Sequence, residues 1–219
     1  MAEKYGEVPK RFTKKWWDYF WYYYKWHTII TVIAVIVAAV TIVQCATREK
    51  YDMTVVYAGH MSYSETETEK LRDILSQYVT DIDGNGKQSV YFQTMMFSDG
   101  AGNEEYDYAI QTKLDLSFTD DYTYIYLMDE VEAALYLQRE SVADSFVNTD
   151  VYAADTDAEI LLGSDGEGYA VNLKDSAVLK ENSIYCDDLY LLIRQNYSDG
   201  EKDVQSYEDA LKIAEILIQ

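Results

Sequence analysis

The chain has 219 residues, with 39 Asp/Glu against 18 Lys/Arg and a formal net charge of −21. Its two cysteines and its single proline, Pro9, exclude a disulfide framework, a cysteine-based zinc site and a thioredoxin-like centre. The charge is uneven. Residues 1–27 carry six Lys/Arg against three Asp/Glu, whereas residues 48–219 carry twelve against thirty-six, so the larger part repels nucleic acid and anionic lipid.

The basic leader contains nine aromatic residues among the eleven of residues 16–26. The twenty residues 28–47 that follow carry no charge. At 1.5 Å per residue they span about 30 Å, one hydrocarbon thickness, which predicts a transmembrane helix. The rings then serve as an interfacial belt, and the Lys/Arg beside them place residues 1–27 in the cytoplasm and residues 48–219 outside the cell membrane. A cleaved signal peptide has a shorter apolar region and a more compact leader. A lipoprotein needs a small residue before its cysteine, where Cys45 has Gln44. The length and the flank therefore favour an uncleaved anchor. Within the span, Thr31, Ala34, Ala38, Thr41 and Cys45 recur at spacings of 3 and 4 and form a small-residue seam suited to packing against another membrane helix, of a second copy or of a different protein.

Five residues, "ATREK", separate the span from the first strand, "YDMTVVYAG", so the domain stays near the membrane. A helix follows over "SYSETETEKLRDILSQYV", with Leu71, Ile74, Leu75, Tyr78 and Val79 inward and a capping box from either Ser64 with Glu67 or Ser62 with Glu65. "SVYFQTMMF" reads as a strand. "NEEYDYAIQTKLDL" reads as a helix opened by Asn103, with Tyr106, Ala109, Ile110 and Leu114 inward. "YTYIYLM" is a third strand. Asp129 then caps a helix with Glu132 three residues on, which makes helix starting the expected task of the Asp129–Glu130 pair. Residues 140–188 are less periodic and contain a turn into a short strand at "GSDGEGYAVNL". A strand at "DLYLLIRQ" and a helix capped by Ser206, with Tyr207, Ala210, Leu211, Ala214 and Leu217 on one face, complete the chain. This order predicts an α/β fold: one open sheet with helices on its faces, behind a transmembrane helix.

The sharpest local motif is "DIDGNGK". Asp81, Asp83 and Asn85 occupy positions 1, 3 and 5 of a calcium loop and Gly86 position 6. Position 12 is Phe92, where the bidentate Glu belongs, and a strand follows instead of a helix. We therefore expect a helix-to-strand turn and no strong metal site. Calcium is the one cofactor the pattern admits, through Asp81, Asp83 and Asn85. No Gly-x-Ser-x-Gly or phosphate loop occurs. The two histidines are His27, at the membrane boundary, and His60, which follows Gly59 at a strand end, where open α/β sheets bind ligands. With no partner visible in the sequence, His60 is expected to be a bystander.

The stretch "FTKKWWDYFWYYYKWHTI" followed by one span resembles a group of uncharacterised single-pass membrane proteins of Gram-positive gut bacteria. Residues 50–140 are similar to one lobe of the type 2 extracellular solute-binding proteins, through "MTVVYAG" before a helix, "DIDGNGK" before a strand and "YIYLMDE" into a helix. The chain lacks that family's lipobox and the length for two lobes. The expected function is a membrane-tethered extracytoplasmic binding or accessory protein without catalytic activity, working beside another membrane protein. The alternatives are a solute-binding-like domain for a small polar or cationic ligand and, third, an extracytoplasmic hydrolase.

Overall fold

Helix α1 (Lys14–Ala46) runs through the aromatic block and the apolar block in 33 unbroken residues, about 50 Å at helical rise. The computed structural model describes residues 9–46, 51–98, 103–154 and 156–219, without the side chains of residues 45, 46, 142 and 143. The chain divides into two compact units, Met1–Glu49 and Lys50–Gln219. In the first, residues 14–44 have a mean hydropathy of 2.4 in their most apolar window and bury none of it, as suits a membrane anchor or a signal sequence. Trp16, Phe20 and Tyr24 stack at i, i+4 spacing with ring centroids 5.4 and 5.5 Å apart. Thr31 and Thr41 donate their hydroxyls to the carbonyls of His27 and Val37, at 2.8 and 2.9 Å. Each hydroxyl is thus satisfied inside its own helix, and the seam presents methyl groups outward. Thr31, Ala34, Ala38 and Thr41 are all exposed. The Cys45 side chain and Thr47 lie outside the described residues.

The second unit is an α/β domain on a six-stranded mixed open sheet. Strands β1 (Met53–Gly59), β2 (Val90–Met96) and β3 (Thr123–Met128) are followed by β4 (Ile160–Leu162), β5 (Gly168–Asn172) and β6 (Tyr190–Ile193). Their spatial order is β2-β1-β3-β6-β5-β4. β1 lies parallel between β2 and β3, while β6, β5 and β4 continue antiparallel. β1 is a continuous apolar run because it is covered on both faces. Val55 and Tyr57 meet α2 (Glu65–Ser76), α6 (Ala177–Glu181) and α7 (Glu201–Ile218) on one side. Val56 and Ala58 meet α3 (Glu104–Ser117) and α4 (Glu130–Leu137) on the other. The helix after β1 and the helix after β3 therefore lie on opposite faces.

Several local expectations hold. Ser64 and Glu67 form the capping box of α2, and Asp129 caps α4. Three differ. Tyr106 and Ala109 face outward, so α3 packs through Ile110, Leu114 and Ser117 instead. Tyr78, expected on the inward face of α2, lies past the end of that helix and is exposed, whereas residues 140–188, as little periodic as expected, hold α5 (Val142–Ser145), a 3-10 turn at Thr149–Val151, β4, the expected short strand β5 and α6. Ser206 is no cap: α7 begins at Glu201 after Gly200, with Glu201 and Asp203 in its first turn. This places Ser206 mid-helix and fully buried, its hydroxyl without a hydrogen-bond partner. A buried unpaired hydroxyl opposes folding and Ala is the better helix former. Ser206→Ala should raise stability by about 0.5–1 kcal/mol in urea unfolding. A lower midpoint would show that the hydroxyl has a stabilising partner.

Candidate functional site

The three parallel strands end at one edge of the sheet. There the chain leaves β1 toward one face and β3 toward the other, which makes the gap between their carboxyl ends the topological switch point where open α/β sheets hold ligands. Ala58 pairs with Met128 across β1 and β3, so Gly59-His60 and Asp129 emerge side by side.

Asp129 organises this edge. Its Oδ2 accepts the His60 backbone N–H at 2.7 Å and faces His60 Nδ1, also at 2.7 Å. Its Oδ1 accepts the Glu132 N–H at 2.9 Å and so starts α4. His60, expected to be a bystander, thus has a buried carboxylate partner 69 residues away. The approach requires Gly59: a Cβ there would stand 2.7 Å from the Tyr57 hydroxyl and 2.8 Å from Asp129 Oδ2. That same Tyr57 oxygen accepts the Met61 N–H, and burial pushes the phenol up to about 12.

Beside this pair lies an open cleft of about 340 Å³ lined by His60, Phe97, Asp107, Tyr108, Gln111 and Glu132. Asp107, in the first turn of α3, accepts the Ser98 hydroxyl at 2.6 Å and the Ser98 N–H at 2.9 Å, which hold its carboxyl below the usual range. Glu132 is 4% exposed and its Oε2 has no hydrogen-bond partner. Burial, and then the charge of Asp129, push its carboxyl up. In α2 the residue at the same position, Glu67, reaches back to the Ser64 N–H at 2.9 Å. Glu132 has no such task, because the Asp129 N–H is already donated to the Ala58 carbonyl of β1.

The "DIDGNGK" loop lies away from the cleft and forms a turn. Asp81 accepts the N–H groups of Gly84, Asn85 and Gly86, and Asp83 accepts that of Asn85. Gly84 and Gly86 take positive φ. Asp52 carries no recognisable signal in the chain around it. Buried ahead of β1, it accepts the N–H groups of Ile82, Asp83 and Ser89. Among the described residues, Asp52, Asp81 and Asp83 are the only trio of His, Cys, Asp or Glu with ligand atoms within 4.8 Å of one another. Asn85 turns its side-chain N–H onto Asp83 and its oxygen onto the Lys87 N–H. Phe92, at the twelfth position, packs into the core.

Comparison with protein-family models, curated proteins and solved structures returns no match for this chain, so the site's chemistry rests on its geometry. Two outcomes follow from that geometry. Gly59→Ala should cost about 1–3 kcal/mol in denaturant unfolding, because the new methyl overlaps Asp129 and Tyr57. A neutral result would mean that Asp129 is not held against β1. Calcium should shift thermal unfolding little, because the loop carboxylates already accept backbone N–H groups and no bidentate Glu completes the shell. A site with Kd a hundredfold below the calcium concentration would add about 2.7 kcal/mol. A rise of that size abolished by Asp83→Ala would establish a metal site at Asp81, Asp83 and Asn85.

Proposed function

We propose that this chain is a membrane-tethered extracytoplasmic binding protein without catalytic activity, acting beside another membrane protein, whose domain captures a small polar or cationic ligand at the carboxyl edge of its parallel strands. The observation that carries this reading is the composition of the cleft: two aromatic rings, two acids, a glutamine and a histidine held by a third acid. Recognition needs convergent polar groups and rings. Hydrolysis by an Asp–His pair needs in addition a nucleophile within reach of the imidazole. The Ser98 hydroxyl is donated to Asp107, and Cys186 is buried in the core on the other face of the sheet with its thiol pushed up by burial. The resemblance of residues 50–140 to one lobe of solute-binding proteins, which rests on their sequence patterns alone, accords with the same reading.

The tether is α1, taken as an uncleaved anchor with residues 1–27 in the cytoplasm. The positive residues before the rings support this orientation. The accessory role rests on the seam Thr31, Ala34, Ala38, Thr41 and Cys45, whose small side chains let a second helix approach closely.

Protease added to intact cells should remove the domain and leave a short membrane-bound N-terminal fragment. A mature protein beginning at Cys45 would defeat the anchor. If the seam pairs with a second copy, mild oxidation of native membranes should give a reducible dimer lost in Cys45→Ser, weakened by Ala38→Leu and unchanged by Ile36→Leu. A dimer indifferent to Ala38→Leu would mean random collision. Cleft binding is tested by thermal shift of the full chain against sugars, amino acids, diols and amines, and a shift from none of them would defeat it.

A further inference from the structure

We propose that the cleft is a site for an organic ammonium group, seated on the carboxylate of Glu132 and walled by Phe97 and Tyr108; this rests on the binding reading above and names the class of its ligand. Glu132 is the carrying observation. It is 4% exposed, lines the cleft and holds a side-chain oxygen with no partner. Buried acceptors without partners are rare in native proteins and ask for an explanation. The ordinary explanation, a capping box, is excluded because the Asp129 N–H it would satisfy is donated to Ala58. A second, a hydrogen-bonded ion pair within the fold, is not made to this oxygen by either nearby cation. The Arg139 guanidinium lies 3.8 Å over the Tyr136 ring and donates to Asp115 at 2.9 Å. His60 turns its Nδ1 onto Asp129.

The other groups define the ligand. Asp107 and Asp129 add negative charge but keep their oxygens on Ser98, His60 and the start of α4, so they set the local potential and leave the direct contact to Glu132. An anion would meet three carboxylates. A single divalent ion requires ligand oxygens that converge closely, and among the described residues only Asp52, Asp81 and Asp83 do so, outside this cleft. An ammonium group needs less: one buried carboxylate to accept its hydrogen bonds, and aromatic faces for its adjoining carbons. Phe97 is nearly buried beneath His60, with ring centroids 5.9 Å apart, and Tyr108 is 74% exposed at the rim. A ligand entering past Tyr108 would therefore meet a ring first and the carboxylate last.

Ionisation gives the site a pH signature. Glu132 faces Asp129 after β3, His60 after β1, Arg139 just past α4 and Asp107 on α3. Burial raises its carboxyl most, Asp129 and Asp107 raise it further, and His60 and Arg139 lower it. An ammonium group binds the ionised form, so its affinity should fall on acidification from a higher pH than an ordinary glutamate would set.

The test uses the full chain in detergent with two probes of nearly equal shape, 4-amino-1-butanol and uncharged 1,4-butanediol, and reads affinity by ligand-observed NMR. At about pH 8 the amine should bind about tenfold more tightly than the diol, and Glu132→Gln should erase the difference. Acidification of the unmodified chain should erode it from a higher pH than an exposed glutamate would set. Glu181→Gln, an exposed acid on α6, should leave it intact and so separate the site from the general attraction of an acidic domain. Equal binding of the two probes, or a preference that survives Glu132→Gln, would overturn the ammonium assignment and leave the binding cleft standing. Saturable binding of neither probe, together with no shift from the wider set of solutes, would overturn both.

Discussion

The carboxylate of Asp129 ties three parts of the domain to one point. One oxygen starts α4, the other holds the turn that leaves β1, and the residue's own N–H closes onto β1 at Ala58. These bonds fix the path of α4 away from the sheet edge and hence the place of Glu132 in the cleft wall. They also fix the His60 ring. The arrangement is possible because β1 and β3 are parallel neighbours in register, and because Gly59 has no Cβ to keep the carboxylate at a distance. A side chain at position 59 would have to displace Asp129, and with it the start of a helix and one wall of the cleft.

Much of the fold was legible where the chain repeats a pattern over a long stretch. The apolar run of β1 is that of a strand covered on both faces, and the Ser64–Glu67 spacing opens α2 as its chemistry requires. Elements of three to five residues, such as β4, α5 and α6, are too short to show a period, and tertiary packing decides them. The antiparallel sense of β4, β5 and β6 likewise depends on pairings between distant residues. Ser206 misled because serine is a good cap in the abstract, whereas the acidic residues before it extend α7 by another turn and a half.

The site was legible only in fragments. His60 after a strand-ending glycine and Asp129 before a helix each had a complete local explanation. Their meeting depends on the register of β1 against β3, which would have predicted it once the two strands were taken as parallel neighbours. Glu132 is the harder case. It stands at the same helical position as Glu67, in the same sequence context of a capping residue three places before. In α2 the cap's N–H is open and the glutamate takes it, and the resulting hydrogen bonds hold the Glu67 carboxyl below its usual range. In α4 the sheet takes the cap's N–H and leaves the glutamate in the cleft. Identical local patterns thus diverge because of one strand carbonyl that no window of sequence around α4 contains.

The domain's abundance of acid does not by itself explain the cleft, because most of that charge differs in kind from Glu132. Asp81, half-buried, is held low by loop N–H groups, and the exposed Asp165 and Asp175 are held low by the Tyr169 hydroxyl and by Lys180. Charges of that sort are screened over about 8 Å at physiological salt and act on a ligand mainly by raising its rate of encounter. Glu132 is buried, unscreened and pushed toward its neutral form, a condition that a folded protein keeps at a cost to stability unless something offsets it. A cation arriving from water would supply the missing hydrogen bonds and the missing charge together. On the proposed reading the surface acids and the buried one would act in sequence: the first would concentrate positively charged solutes around the domain, and the second would give one of them a fixed place within it.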